Sequence, residues 1–192
     1  MSAPLADLQR GAICLALYPF TPGIPLDVVL READADGSLN AKIESYDSIE
    51  AVARIERREL AIEFKIRPVL ILQTGTSEQR PDLLVARINS ITDDHRAKRG
   101  NWVLKLENNI HPLMVHVGHE SHHGLKIDSY VNLLSVQPVN KKAILRKVGQ
   151  LSENEMANVS ERLILSLEID VSAYVARVRP EANVTQPAAT EP

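Results

Sequence analysis

Along the chain, apolar runs of strand length alternate with polar breaks. GAICLALYPF (11–20) is one such run, stopped by Pro19 and Pro22. RPVLILQ (67–73), LLVARINSI (83–91), HPLMVHVG (111–118) and DSYVNLLSV (128–136) are β-branched or leucine-rich, and their spacing suits antiparallel pairing. KAILRKVG (142–149) predicts one more short strand. Long helices do not alternate with these runs, which argues against a doubly wound parallel sheet.

The pattern changes in two places. Residues 23–62 are charged, with DADG as a turn, and Asp47 or Ser48 could cap a short helix carrying Ile49, Val52, Ala53 and Leu60 on one face. This stretch has too few apolar residues for a core of its own and reads as an excursion from a single domain. Near the C-terminus, Ser152 followed by Glu155 forms a capping-box pattern, and Met156, Val159, Leu163 and Leu167 follow at helical spacing. The expected organisation is a flexible lead over 1–9, one domain over 10–170 with an insertion at 23–66, and a polar, proline-rich disordered tail over 171–192.

Composition narrows the function classes. The 192 residues are 44 % hydrophobic and 24 % charged, a globular balance, with 22 Lys and Arg against 25 Asp and Glu for a net charge of −3. No global basic field advertises nucleic acid, so any such site must be a local patch. A single cysteine, Cys14, excludes an intramolecular disulfide framework and a paired-cysteine zinc site, and its apolar setting predicts a buried, inert thiol. No stretch approaches the roughly 20 apolar residues that span a bilayer. The N-terminus lacks a cationic start followed by an apolar core, so a cytoplasmic location is expected.

Several ordered motifs carry a family resemblance. Arg10-Gly11 resembles the RG-[DE]-[IV] start of the MazF/PemK/Kid toxins, and Arg67-Pro68-Val69-Leu70-Ile71-Leu72 resembles their RPVLVL strand. Val85-Ala86-Arg87-Ile88-Asn89-Ser90 sits where they carry VAPITS, and Gly124 to Val131 resembles GLKKDSVV. Asn140-Lys141 falls on the Asp-Lys of RTIDK, and Gly149-Gln150-Leu151-Ser152 with Glu155-Met156 resembles the G-x-LS-x-EEM ending. The resemblance implies a mainly β fold with α, namely a small SH3-like, strongly bent antiparallel β-barrel plus a C-terminal helix. The long insertion then falls between strands 1 and 2. It also implies a homodimer that cuts single-stranded RNA without a metal or other cofactor, restrained by a cognate antitoxin.

Such cleavage needs a base for the 2′-OH, donors for the phosphorane, and an acid for the leaving 5′-oxygen. By the resemblance Arg67 matches the functional arginine; its guanidinium can grip two phosphate oxygens, or serve only as an ion pair at a strand head. Asn89 stands where MazF-like enzymes carry threonine, and with Ser90 it can donate to a phosphate. Leu134 replaces the family's acidic residue, Gln137 its arginine, and Asn132 an arginine of Kid-like members, which moves the acid/base task elsewhere. HPLMVHVGHESHHG holds five of the six histidines, and imidazole, with a pKa near ~6.5, suits both steps. His116 matches a position where family members often have histidine; the bland reading of the run is a solvated polar loop. His116, His119 and His122 lack an established zinc spacing, so no metal is expected.

RNA contacts are expected from DDHRAKRGNW (93–102), where Arg96, Lys98 and Arg99 lie beside Trp102, joined by Lys126 and Gln137. The charged stretch could equally be a solvated loop. The sequence thus favours an endoribonuclease toxin. The alternative is a non-catalytic member of the fold that binds a protein or nucleic-acid partner, as a CcdB-like inhibitor does.

Overall fold

The computed structural model describes residues 8–19, 26–33, 39–48, 59–60, 64–73 and 81–171. Strands β1 (Ala12–Pro19), β5 (Phe64–Ile71), β6 (Asp82–Ser90), β7 (Met114–Val117), β8 (Ser129–Asn140) and β9 (Ile144–Gln150) form one antiparallel sheet in the order β7-β8-β6-β5-β1-β9. Each expected strand is present. The 23–66 excursion adds β2 (Leu26–Ala33), β3 (Leu39–Tyr46) and β4 (Glu59–Leu60), a second sheet in the order β3-β2-β4. The DADG turn lies between β2 and β3, and both it and the short helix expected after Ser48 fall outside the described residues. Neither sheet closes into a barrel among the described residues, and no helix there is long and apolar enough to cross a membrane.

Period-2 alternation gives the large sheet two buried faces. On the first, Ala12, Cys14, Ala16 and Tyr18 of β1 pack with Val69, Ile71, Leu83, Val85 and Val139. On the second, Ile13, Leu70, Ala86, Ile88, Val115 and Val131 pack under α3 (Glu153–Ser166) through Met156 and Val159. The expected Ser152 capping box forms: the Ser152 N–H donates to Glu155 at 2.7 Å, and the Glu155 N–H donates to the Ser152 hydroxyl at 3.3 Å. Leu167, the last residue of the expected stripe, lies past the helix end and is exposed, because α3 stops at Ser166. Leu8 is fully buried in the first core, and Arg10 donates to the Ser160 hydroxyl of α3, so the chain docks before residue 10.

A 3₁₀ turn, Ser121–His123, joins the two ends of the sheet. It follows β7 at one edge yet packs on β9 at the other. The approach is backbone against backbone: a Cβ on Gly149 would strike the His123 carbonyl, and a Cβ on Gly124 would strike the Val148 carbonyl. Gly124 also has φ +65°, a conformation open to glycine at little cost. His123, 1 % exposed, locks the turn in place. Its Nδ1 meets the Gly118 carbonyl at 2.9 Å, and its Nε2 meets the Glu155 carboxylate at 2.8 Å. The solvated-loop reading of the histidine run therefore fails at His123.

Gly149→Ala should destabilise the fold by roughly 1–3 kcal/mol or more, because two backbones must part to admit a methyl group. Ser152→Ala should cost about 1 kcal/mol through the lost cap. Urea unfolding with unchanged m-values measures both, and an equal or smaller effect for Gly149→Ala would contradict the tight approach.

Candidate active site and nucleic-acid interface

β5 and β6 pair only over Val69↔Arg87, Leu70↔Ala86 and Ile71↔Val85. Beyond Val69 they part, and Arg67 remains opposite Ala16 of β1. By strand alternation Arg67 lies on the face of Val69 and Ile71, and Asn89 lies on that of Val85. Both belong to the first face, at the mouth of the diverging strands. Ser90 follows Asn89 in an uninterrupted strand, so it points to the opposite face, and it is exposed. The structure thus brings Arg67 and Asn89 to one side and separates Ser90 from them.

One further charged residue of this face was not singled out from the sequence. Arg87 alternates with Val85 and Asn89, is half-buried, and has a buried Nε with no hydrogen-bond partner. It lies near Tyr18: burial pushes the Tyr18 phenol upward, and the Arg87 charge pulls it the other way. A cation amid the apolar run LLVARINSI, at an inward-facing period-2 position, was the available signal. The face is closed by a bulge in β8, where Leu133, Leu134 and Ser135 have no partner on β6 between Val136↔Ala86 and Asn132↔Arg87. Asn132 Oδ1 accepts from the Leu134 N–H at 3.0 Å, and the Tyr18 hydroxyl donates to the Ser135 carbonyl at 3.1 Å. Gln137 is engaged in the same closure, its Nε2 donating to the Pro19 carbonyl at 3.3 Å. Leu134, on the bulge, is exposed.

His116 lies on β7 opposite Tyr130, which in turn lies opposite Asn89. Three strand spacings, roughly 14 Å of backbone, therefore separate His116 from the β5 strand of Arg67, with Tyr130 between. Its Nε2 is buried without a hydrogen-bond partner.

The segment 93–102 is helical and not a loop, because Thr92 caps it with a hydrogen bond from the His95 N–H. It forms α1 (Asp93–Lys98) and α2 (Gly100–Glu107). Val103 and Leu106 of α2, with Trp102 against them, join Ile91 and Tyr130 in a small core. Trp102 stands edge-on to Tyr130 with centroids 5.1 Å apart. Arg96 reaches Glu107 at 2.5 Å and Asp128 at 3.0 Å, and Lys98 reaches Asp94 at 2.7 Å. Arg99 is exposed at the junction of the two helices. An open cleft nearby is lined by Ile91, Asp93, Arg96, His119, Lys126, Ile127 and Asp128. There the His119 Nδ1 lies 2.6 Å from Asp128. The hydrogen bond to Asp128 pushes the His119 pKa up, and the hydrogen bond from His119 holds the Asp128 carboxyl down.

The family model of PemK-like, MazF-like toxins of type II toxin–antitoxin systems matches residues 58–167, from the β4 region through α3. The chain belongs to this family. Among solved structures, a Mycobacterium tuberculosis toxin named MazF-mt6 is 24 % identical, covering 55 % of this chain and 90 % of its own at a TM-score of 0.40. An endoribonuclease from a Mycobacterial species is 16 % identical, covering 55 % and 83 %, also at a TM-score of 0.40. An endoribonuclease in complex with its cognate antitoxin, again Mycobacterial, is 12 % identical, covering 84 % and 95 % at a TM-score of 0.43. No curated protein sequence matches significantly. Family membership rests on the matched span. β1, which lies between β5 and β9, falls outside it.

In this PemK/MazF-like chain the His119–Asp128 pair gives a signed pH effect. A histidine whose folded pKa is raised contributes stability that is complete below its unfolded pKa and is lost as pH rises through the folded one. Asp128→Asn should move the His119 NMR titration midpoint down towards ~6.5. An unmoved midpoint would show that the pair does not form in solution.

Proposed function

We propose that this chain is the toxin of a toxin–antitoxin pair, an endoribonuclease that cleaves single-stranded RNA by metal-independent attack of the 2′-OH on the adjacent phosphorus. The observation that carries the reading is the placement of Arg67 and Asn89 on one sheet face, at the mouth of the diverging β5 and β6 strands. Arg67 stabilises the equatorial oxygens of the phosphorane, where a fixed charge counts most in the transition state. The Asn89 amide donates to the same phosphate, and half-buried Arg87 adds a second positive charge on that face. The products are a 2′,3′-cyclic phosphate and a free 5′-hydroxyl.

His116 is assigned no direct proton transfer, since that step needs direct or one-water reach and Tyr130 stands between. Ser90, on the opposite face, is assigned no phosphate contact. Arg99 and Lys126, both exposed, are the better placed of the expected RNA contacts, because Arg96 and Lys98 are paired with carboxylates. The remaining parts of the reading follow the family: a cytoplasmic homodimer, a cognate antitoxin as partner, and a sheet read as an opened SH3-like barrel whose ends the 3₁₀ turn joins. A binding-only reading draws on exposed Leu134, which stands where the resemblance places an acidic residue.

Purified protein incubated with a long unstructured RNA, with and without chelator, tests the proposal. Defined cuts that ignore chelator are expected, reduced at least about 100-fold by Arg67→Ala, as for loss of one transition-state donor. Asn89→Ala should lower the rate by about tenfold or more, whereas Ser90→Ala should stay near wild type. RNA left intact at high protein excess would favour the binding-only reading.

A further inference from the structure

One side-chain cluster lies outside the proposed active site. Among the described residues, His122, His123 and Glu155 are the set of three potential metal ligands whose donor atoms all lie within 4.8 Å of one another. His123 Nε2 is 2.8 Å from Glu155 Oε1, and His122 Nε2 is 3.8 Å from Glu155 Oε2. Ligands around a tetrahedral zinc ion with bonds of about 2.0–2.1 Å stand roughly 3.3 Å apart. The two histidine distances run to different oxygens of the one carboxylate, and the three donors spread up to 4.8 Å, so rotation of exposed His122 inward would bring them around one ion.

The surroundings are those of a metal site. A ligating histidine usually donates its other ring N–H to a carbonyl or carboxylate, which fixes the tautomer and leaves a lone pair for the metal. His123 Nδ1 faces the Gly118 carbonyl at 2.9 Å and the Glu120 carboxylate at 2.8 Å, which leaves Nε2 to ligate. The Glu155 carboxylate is oriented in the same manner: Oε2 accepts from the Ser152 N–H and hydroxyl, each at 2.7 Å, and Oε1 points at His123. The two imidazoles stand 3.9 Å apart, tilted by 54°. His123 is buried, while His122 is exposed and offers an entry path.

We infer that His122, His123 and Glu155 form a site for a borderline divalent cation of the zinc type. Two imidazole nitrogens and one carboxylate oxygen ligate the ion, and water completes its coordination. Two nitrogens and an oxygen suit zinc or cobalt better than magnesium or calcium, which favour all-oxygen shells. The bound ion would clasp the 3₁₀ turn to the start of α3. Since α3 covers the second face and Arg67 lies on the first, the role is structural and separate from RNA cleavage.

Tag-free full-length protein titrated with Co2+ and Zn2+ tests this by cobalt absorption, calorimetry and thermal unfolding. One equivalent should bind, and a hundredfold excess over Kd should raise Tm by roughly 5–10 °C. His122→Ala, which alters an exposed side chain, should weaken binding at least about tenfold while keeping the metal-free Tm near wild type. Glu155→Gln should weaken it as well, and Arg67→Ala should bind normally. Absent binding, or binding by His122→Ala equal to that of the wild type, would overturn the site. Loss of binding on His119→Ala with none on His122→Ala would place the ion on the His119–Asp128 pair and overturn it equally.

Discussion

The architecture depends on how the two free edges of a six-stranded sheet are reconciled. β7 and β9 are the outer strands and do not pair. An open edge offers unpaired N–H and C=O groups to any passing chain. Here the turn after β7 crosses to β9, and two glycines let the backbones meet where any side chain would hold them apart. The buried His123 then fixes that meeting to the capping box of α3 through Glu155. Burial works against the charge on Glu155, but the Ser152 hydroxyl and N–H, with His123, outweigh it and hold the carboxyl below its ordinary pKa. A single carboxylate thus serves as helix cap, as histidine partner and as the link between the edge turn and the helix over the second core.

With the second face covered by α3, the first face carries the polar positions of the central strands. That face is apolar near Leu83 and Val85 and apolar again where Ile91 meets α2, with Arg87 and Asn89 between. Such a polar belt survives between two small cores because the β8 bulge bends over it, tied down by Tyr18 and Gln137. Strand divergence beyond Val69 opens the belt towards Arg67. The guanidinium stands on a strand held on one side by β1, opposite buried Ala16, and followed by buried Val69, while its β6 side is open to a ligand.

Strands and the last helix were legible because period-2 and period-3.6 patterns, with a strong cap, are local signals. The strands at 67–73 and 83–91 and the Ser152 cap required nothing from distant residues. What failed to show depended on tertiary contact. The segment 93–102 read as a charged loop because its apolar residues, Trp102 and Val103, lie at its end; only the Tyr130 surface makes them a core. His123 looked like one histidine of five, since its burial comes from β9 and α3, far along the chain. Asn89 and Ser90 read as one pair, although strand alternation sends them to opposite faces. The hairpin of β2 and β3 was hidden by its charge: among its described side chains Val28 is buried while Asp27, Ala41, Lys42, Ile43 and Ser45 are exposed, so the apolar alternation that marks a strand is weak.

Charge is where sequence and structure bear most directly on an anionic substrate. A net charge of −3 gives no long-range attraction, so any affinity for RNA must come from cations whose fields are not cancelled locally. The basic segment that looked most suited to the task is substantially neutralised: Arg96 is shared by two carboxylates, and Lys98 is held by Asp94. On the first face, Lys65, Arg67 and Arg87 share one side of neighbouring strands; Lys65 is exposed, while Arg67 and Arg87 are half-buried, where screening by water is weaker than at the surface. A half-buried guanidinium on a strand face acts on a neighbouring phosphate through a medium that screens it less than water screens a cation on an exposed helix. The proposed activity at Arg67 and Asn89 draws on that lower screening, while α1, through Arg96, holds Asp128 at the β6–β8 end.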